Sequence, residues 1–446
     1  MTSPNINIRS LALDAFMKIT NEGDFLNEVV ETLMDKYAYL PQKDRAFINR
    51  VLHGTLEYLI QIDFCIEKYS KIEIKKMRPV LRGLLRISVY QILFMDRVPD
   101  SAVCSEALKI IDKRRMTGFK PFTNAILRNI SRDKETLVFD KEYIKLSIPK
   151  WMHELWHDEF GKEKANQIAG AFLKEKDIYF RINQSKIDIE TCKARLIEQG
   201  YDIKENQYFD DLISIKNINS LKKIGLLQEG LIQIQDISAT IPLRSINIQK
   251  GQTVLDICAA PGGKSYQAAD IMQDEGQVIA CDISASKIRD MEYDIRKKGF
   301  SSIKVVVQDA TVYNSDFKDI ADIVIADLPC SGLGVLGTKP DIKLHATIDR
   351  CYELQELQRH ILSNACQYVK KGGILLYSTC TIDRHENMEN VEWFLDEFKD
   401  YISEKLMLPE KLGYRYQMNH KKYIQIFPFD FDGDGFFIAA FRRGHD

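Results

Sequence analysis

The sequence predicts a multidomain chain: an all-α bundle, then a small α+β linker domain, then an α/β domain of Rossmann-like architecture. Three observations carry that expectation. Residues 1–140 show apolar positions at helical spacing almost throughout. Residues 141–228 mix a strand-like run with short helical stretches. From 229 to 446 short apolar runs alternate with helical stretches, the rhythm of βαβ units around a parallel sheet.

A chain of 446 residues has room for two or three domains. Its 45% hydrophobic and 28% charged content is that of an ordinary globular protein, and a net charge of −2 singles out no partner. The opening MTSPNINIRS has no apolar signal core, and no stretch of about 18 uncharged apolar residues occurs, so a cytoplasmic protein without a membrane partner is expected. Nine cysteines, none in a C-x-x-C pair, and eight scattered histidines disfavour a disulfide framework and a zinc site; no metal is expected.

In the first part, LALDAFMKI and FLNEVVETLM carry the i, i+3, i+4, i+7 stripe of helices lying on a core. VLRGLLRISVYQILF (Val80–Phe94) is apolar nearly all round, which predicts a central helix, and Pro79 suits its first turn. From Lys71 to Lys134 there are 15 Lys plus Arg against 6 Asp plus Glu, a local +9 that includes Lys113, Arg114, Arg115, Lys120 and Arg128. Such a cluster is the footprint of a phosphate backbone or else a solvated face whose partners lie elsewhere in the chain, and RNA contact is the favoured reading.

The middle part opens with the helical IPKWMHELWHDEFG, continues through the strand-like IYFRINQSK, and reaches CKARLIEQGY, a helix closed by Gly200. It shows no catalytic pattern. In the third part TVLDIC, QVIACD, IKVVVQD, DIVIAD and ILLYSTC read as strands, while YIQIFPF and GFFIAAF suit an antiparallel hairpin at a sheet edge.

The first of these strands runs into DICAAPGGKS, a glycine-rich turn that lets backbone approach a ligand. G-K-S mimics a phosphate-binding loop, but the glycine required five positions before Gly263 is Cys258. The dinucleotide pattern G-x-G-x-x-G is absent as well. A nucleoside ligand without a pyrophosphate remains. Asp282, about 19 residues after Gly263, suits ribose hydroxyls, and Asp309 suits the rim of an adenine. Either acid alone reads as a turn residue; at matched strand ends with Cys258 they outline a pocket for S-adenosylmethionine.

VLDICAAPGGKS, IADLPCSG and LLYSTCT resemble the signature motifs of RNA 5-methylcytosine methyltransferases. LLRISVYQILFMDRVP and FTNAILRNISR resemble the RNA-binding fold of the antitermination factor NusB. Together they resemble the RsmB/Sun family of ribosomal RNA small-subunit methyltransferases over nearly the whole chain. The resemblance implies a NusB-like helical RNA-binding domain over 1–140, a linker domain over 141–228 and a class I methyltransferase domain over 229–446. It implies S-adenosylmethionine as cofactor, held by Cys258, Ala259, Ala260, Pro261, Gly262, Gly263, Lys264, Asp282, Asp309 and Asp327. The implied substrate is one cytidine of 16S ribosomal RNA, naked or in an early assembly intermediate, and a monomer is expected. Transfer RNA as substrate and a non-catalytic RNA-binding assembly factor are the alternatives.

The chemistry explains why two strands deliver thiols. Cytosine carbon 5 is too weak a nucleophile to take a methyl group until a thiolate adds to carbon 6. A free thiol is only a few per cent ionised at neutral pH, so nearby charge should help, and Lys264 is the candidate. By the resemblance, Cys380 of the T-C motif attacks, Cys330 of the P-C motif assists release, and Asp327 holds the cytosine ring. Cys65, Cys104, Cys192, Cys281, Cys351 and Cys366 read as small buried hydrophobes. Tyr377 and Phe436 read as core, and Gly332–Leu344 resembles the family's active-site lid.

Overall fold

A computed structural model of the chain describes residues 6–216, 221–408, 412 and 422–445. It divides into two compact units, Met1–Lys174 with Leu336–Ala346, and Glu175–Val335 with Thr347–Asp446.

The first unit is helical, and its central element is Pro79–Phe94, with proline in the first turn. That helix buries Leu81, Leu84, Leu85, Ile87, Val89, Tyr90 and Ile92 on several sides, as an apolar circumference requires. Helices Ile8–Met17, Gln42–Glu57, Leu59–Tyr69, Asp100–Lys113 and Lys120–Asp133 pack against it. Part of the local +9 is offset by acids of the same unit outside the stretch: Arg86 pairs with Asp63 at 2.6 Å, and Arg114 with Asp14. Lys113, Arg115 and Arg128 remain exposed.

Leu336–Ala346 includes most of the Gly332–Leu344 stretch that resembles a lid. Its residues belong to the helical unit, where two side chains cap helix ends. The buried Asp341 accepts the amide of Leu26 through Oδ2 at 3.2 Å, where the helix Leu26–Lys36 begins without a side-chain cap of its own. The buried Lys343 donates from Nζ to the carbonyl of Glu57, the last residue of its helix, at 2.8 Å and to that of Ser147 at 2.9 Å. Burial pulls the Lys343 ammonium down to about 7, against attraction from Glu57.

The second unit begins with strands β1 (Tyr179–Ile182), β2 (Asp202–Glu205), β3 (Leu212–Lys216) and β4 (Ile232–Ile234), antiparallel in the order β2-β3-β1-β4. The helix Ile189–Glu198 covers their inner face and ends near Gly200 at φ +82. Buried Arg181 of β1 donates to Gln235 at 2.9 Å and to Asp270, on the helix Gly263–Ile271, at 2.7 Å.

The larger sheet holds β5 (Thr253–Asp256), β6 (Gln277–Asp282), β7 (Ile303–Val307), β8 (Ala321–Asp327), β9 (Val369–Thr379), β10 (Tyr401–Ser403), β11 (Tyr423–Ile426) and β12 (Phe436–Arg443). Its order is β10-β12-β9-β8-β5-β6-β7, with β11 paired to β12. β5 to β9 are parallel, and β11–β12 is the antiparallel hairpin the sequence suggests. Apolar residues of both faces are buried, as near-continuous apolar strands demand.

Candidate active site

From β5 the chain steps outward through β6 and β7, then returns to place β8 and β9 on the other side. The strand order therefore reverses between β5 and β8, where open α/β sheets bind ligands at the carboxyl ends of the strands.

The glycine turn leaves β5 at this point. Gly262 has φ +105, and a Cβ there would meet the Tyr266 ring at 2.6 Å, so the turn needs glycine on both counts. Lys264 follows in the first helical turn, only 8% exposed. Its Nζ donates to Asp327 Oδ2 at 2.6 Å and lies 4.8 Å from the centre of the Phe436 ring. Ser378 Oγ donates to the other oxygen of Asp327 at 2.7 Å, so this carboxylate is fixed from both sides. The ammonium expected to favour a thiolate is thus directed at Asp327. Behind them, burial pushes the Asp256 carboxyl up to about 7, although Ser265 donates to it at 2.7 Å.

Asp282 closes β6, accepting the Ser284 amide at 2.9 Å and the Ala260 amide at 3.2 Å, which ties the glycine turn to the second strand. Asp309 follows β7. Bonds from the hydroxyl and amide of Thr311 hold its carboxyl below the usual range. Both acids serve their own turns and remain partly exposed at adjacent strand ends. Acceptors in that position fit ribose hydroxyls and an amino group, so the residues present fit S-adenosylmethionine. Cys258 is partly exposed, with a thiol pushed up by burial.

β8 and β9 pair through Asp327 and Ser378, and the amide of Leu328 donates to the carbonyl of Ser378 at 3.1 Å. Just beyond, the Sγ atoms of Cys330 and Cys380 lie 3.3 Å apart, both partly exposed. The hydrogen bond to Cys380 pushes the Cys330 thiol well above its ordinary range, with burial and the charges of Cys380 and Glu386 acting the same way. Gly334 seals the turn: its amide donates to the Cys380 carbonyl at 3.1 Å, and a Cβ on it would collide with the carbonyl oxygen of Gly435.

Cys65, Cys104, Cys192, Cys281, Cys351 and Cys366 are buried, with thiols raised chiefly by burial. Tyr377 and Phe436 are buried too. Cys351, Asp383 and Glu386 bring a thiol and two carboxyls within 4.8 Å of one another, but both oxygens of Glu386 already accept hydrogen bonds from Ser331.

Sequence reasoning missed the residues behind the thiols: Gln358, Ser378, Glu386 and Asn387. One signal was available. Gln355 and Gln358 occupy the buried stripe of helix Ile348–Ala365 with Cys351, Leu354, Ile361 and Leu362, where a polar residue needs a partner.

Fold and site together define an S-adenosylmethionine-dependent methyltransferase. Family models match in succession: NusB over residues 6–132, the ferredoxin-like domain of RsmF/B-like methyltransferases over 148–221, and 16S rRNA methyltransferase RsmB/F over 244–442. The probable ribosomal RNA small subunit methyltransferase B of Bacillus subtilis (strain 168) is 31% identical, covering 98% of this chain and 99% of that protein. Its counterpart in Synechocystis sp. is 28% identical over 98% of this chain and 100% of its own length. In fold, the crystal structure of PH0851 superposes with a TM-score of 0.81 at 23% identity, covering 99% of this chain and 100% of that one. NSun6 from Pyrococcus horikoshii gives 0.58 at 21% identity, covering 67% and 99%. The chain belongs to the RsmB/F family of ribosomal RNA small-subunit methyltransferases.

Proposed function

We propose that this protein methylates carbon 5 of a cytidine in 16S ribosomal RNA through a covalent bond between Cys380 and the pyrimidine. The observation that carries the reading is the pair of sulfurs 3.3 Å apart at the ends of adjacent parallel strands, beside the Lys264–Asp327 pair. The names of the curated relatives support the substrate class.

Bound S-adenosylmethionine supplies the electrophilic methyl group. Cys258–Gly263, Asp282 and Asp309 hold it at the ends of β5, β6 and β7. The target base leaves its stack, since attack on carbon 6 comes from above the ring. Asp327, steadied by Lys264 and Ser378, accepts from the exocyclic amino group and orients the ring. The Cys380 thiolate forms a bond to carbon 6, and the displaced electron pair makes carbon 5 nucleophilic. Once carbon 5 carries the methyl group, its proton leaves to a base, the carbon 6–sulfur bond breaks, and Cys380 departs as thiolate. Cys330, held as a neutral thiol, assists that departure by donating a hydrogen bond to the leaving Cys380 sulfur.

The test uses labelled S-adenosylmethionine and 16S RNA from cells lacking the enzyme. Cys380→Ala should abolish transfer while retaining cofactor binding, and Cys330→Ala should accumulate protein covalently attached to RNA. Adduct in Cys380→Ala and none in Cys330→Ala would reverse the roles. A wild-type protein that modifies transfer RNA but not 16S RNA would replace the substrate.

A further inference from the structure

Two consecutive buried side chains, Glu386 and Asn387, each hold one thiol-bearing turn. Glu386 Oε2 accepts the Ser331 amide at 2.9 Å and Gln358 Nε2 at 2.8 Å, while Oε1 accepts Ser331 Oγ. Gln358 Nε2 also donates to the Pro329 carbonyl at 2.8 Å, so the chain is gripped on both sides of Cys330. Asn387 treats the other turn alike. Its Oδ1 accepts Thr379 Oγ1 at 2.6 Å, and its Nδ2 donates to the Thr381 carbonyl at 3.0 Å, on either side of Cys380.

The use of Asn387 is telling. It is the N-cap of helix Met388–Glu397, where asparagine usually accepts a helix amide, yet it makes no such bond. Its side chain reaches instead to the Cys380 turn, with one further bond from Nδ2 to Gln425 Oε1 at 3.0 Å. Backing comes from Tyr377, whose hydroxyl donates to the Glu386 carbonyl, and from Asn390, which donates to Gln358 Oε1 at 2.8 Å. Ser331 Oγ and Thr381 Oγ1, 2.8 Å apart, join the two turns.

We infer that Glu386 and Asn387 are paired positioning residues that set the two sulfurs separately, Glu386 placing Cys330 for release and Asn387 placing Cys380 for attack. Neither touches the reacting atoms. The inference rests on the covalent reading above, and its signature is a division of phenotypes that a general structural role would not produce.

Glu386→Ala, Glu386→Gln and Asn387→Ala are compared with Cys330→Ala and Cys380→Ala for turnover and for RNA adduct on denaturing gels. A thiol misplaced by about 1 Å costs on the order of 10²-fold in rate. Glu386→Ala should therefore lose turnover on that scale and accumulate adduct like Cys330→Ala. Asn387→Ala should lose turnover on the same scale and form no adduct, like Cys380→Ala. Glu386→Gln keeps an acceptor for the Ser331 amide and a polar partner for its hydroxyl, so it should restore most of the turnover. Milder substitutions approach each clamp from the turn side and keep the test open should an alanine variant misfold. Ser331→Ala should reproduce the adduct phenotype weakly, and Thr379→Val the attack defect. Identical phenotypes for the two clamps, wild-type turnover in either, or no recovery in Glu386→Gln would overturn the pairing. Absence of adduct in Cys330→Ala itself would instead overturn the covalent reading beneath it.

Discussion

Replacing Lys343 with methionine keeps the volume of the side chain and removes its charge, which isolates the electrostatics of a buried cap. The fall from 10.5 to about 7 in the folded protein bounds the cost of holding the ammonium there at about 5 kcal/mol. At pH 7 the variant escapes that cost but leaves the Glu57 and Ser147 carbonyls without a donor, at about 1–3 kcal/mol each. The two effects are of similar size at pH 7, where they nearly cancel; the slope with pH separates them. Below 7 the amine is charged in both folded and unfolded chains, and the full cost is present. As pH rises above 7 the folded protein has shed a proton that the unfolded chain still binds, so wild-type stability climbs by at most about 1.4 kcal/mol per pH unit. Between pH 7.0 and 8.5 that amounts to about 1.5–2 kcal/mol, or about 3–8 °C for a unit of this size. Thermal melting followed by circular dichroism at both pH values should show wild type gaining by that margin over Lys343→Met. A gap between the two proteins that stays constant with pH would refute the reasoning.

Further outcomes follow from single contacts. Asp341→Ala removes the cap on Leu26 and should cost about 1 kcal/mol of stability in a denaturant titration. Arg181→Met strands the buried Asp270 carboxylate and should cost about 3–5 kcal/mol; a stabilised variant would mean that the pair's desolvation outweighs its attraction. Gly334→Ala drives a methyl group against the backbone of Gly435 and Cys380, so methyl transfer should fall on the order of 10²-fold with cofactor affinity preserved, whereas an unchanged rate would show that the turn can yield.

Most of the large sheet could be read in the sequence because buried parallel strands are unbroken apolar runs and their ends carry the polar residues. The T-C and P-C motifs stand out for the same reason: a thiol directly after such a run is conspicuous. Segment 336–346 was not legible, because the caps that Asp341 and Lys343 supply go to helix ends hundreds of residues away in the chain. No local pattern encodes a partner at that separation. The partial neutralisation of the basic stretch by Asp14 and Asp63 was hidden likewise, since both acids lie outside it. Glu386 and Asn387 sit in IDRHEN, between a strand and a helix, where polar residues look like an ordinary loop. Only the folded chain shows that both are buried and hydrogen-bonded to the turns around Cys330 and Cys380.

The most direct measurement is to trap the reaction on RNA whose target cytidine carries fluorine at carbon 5, which cannot leave as the proton does. Protease digestion and mass spectrometry then locate the attached nucleotide. The account predicts attachment to the peptide at Cys380 in the presence of S-adenosylmethionine; attachment at Cys330, or methylated product with no attachment to either sulfur, would contradict it.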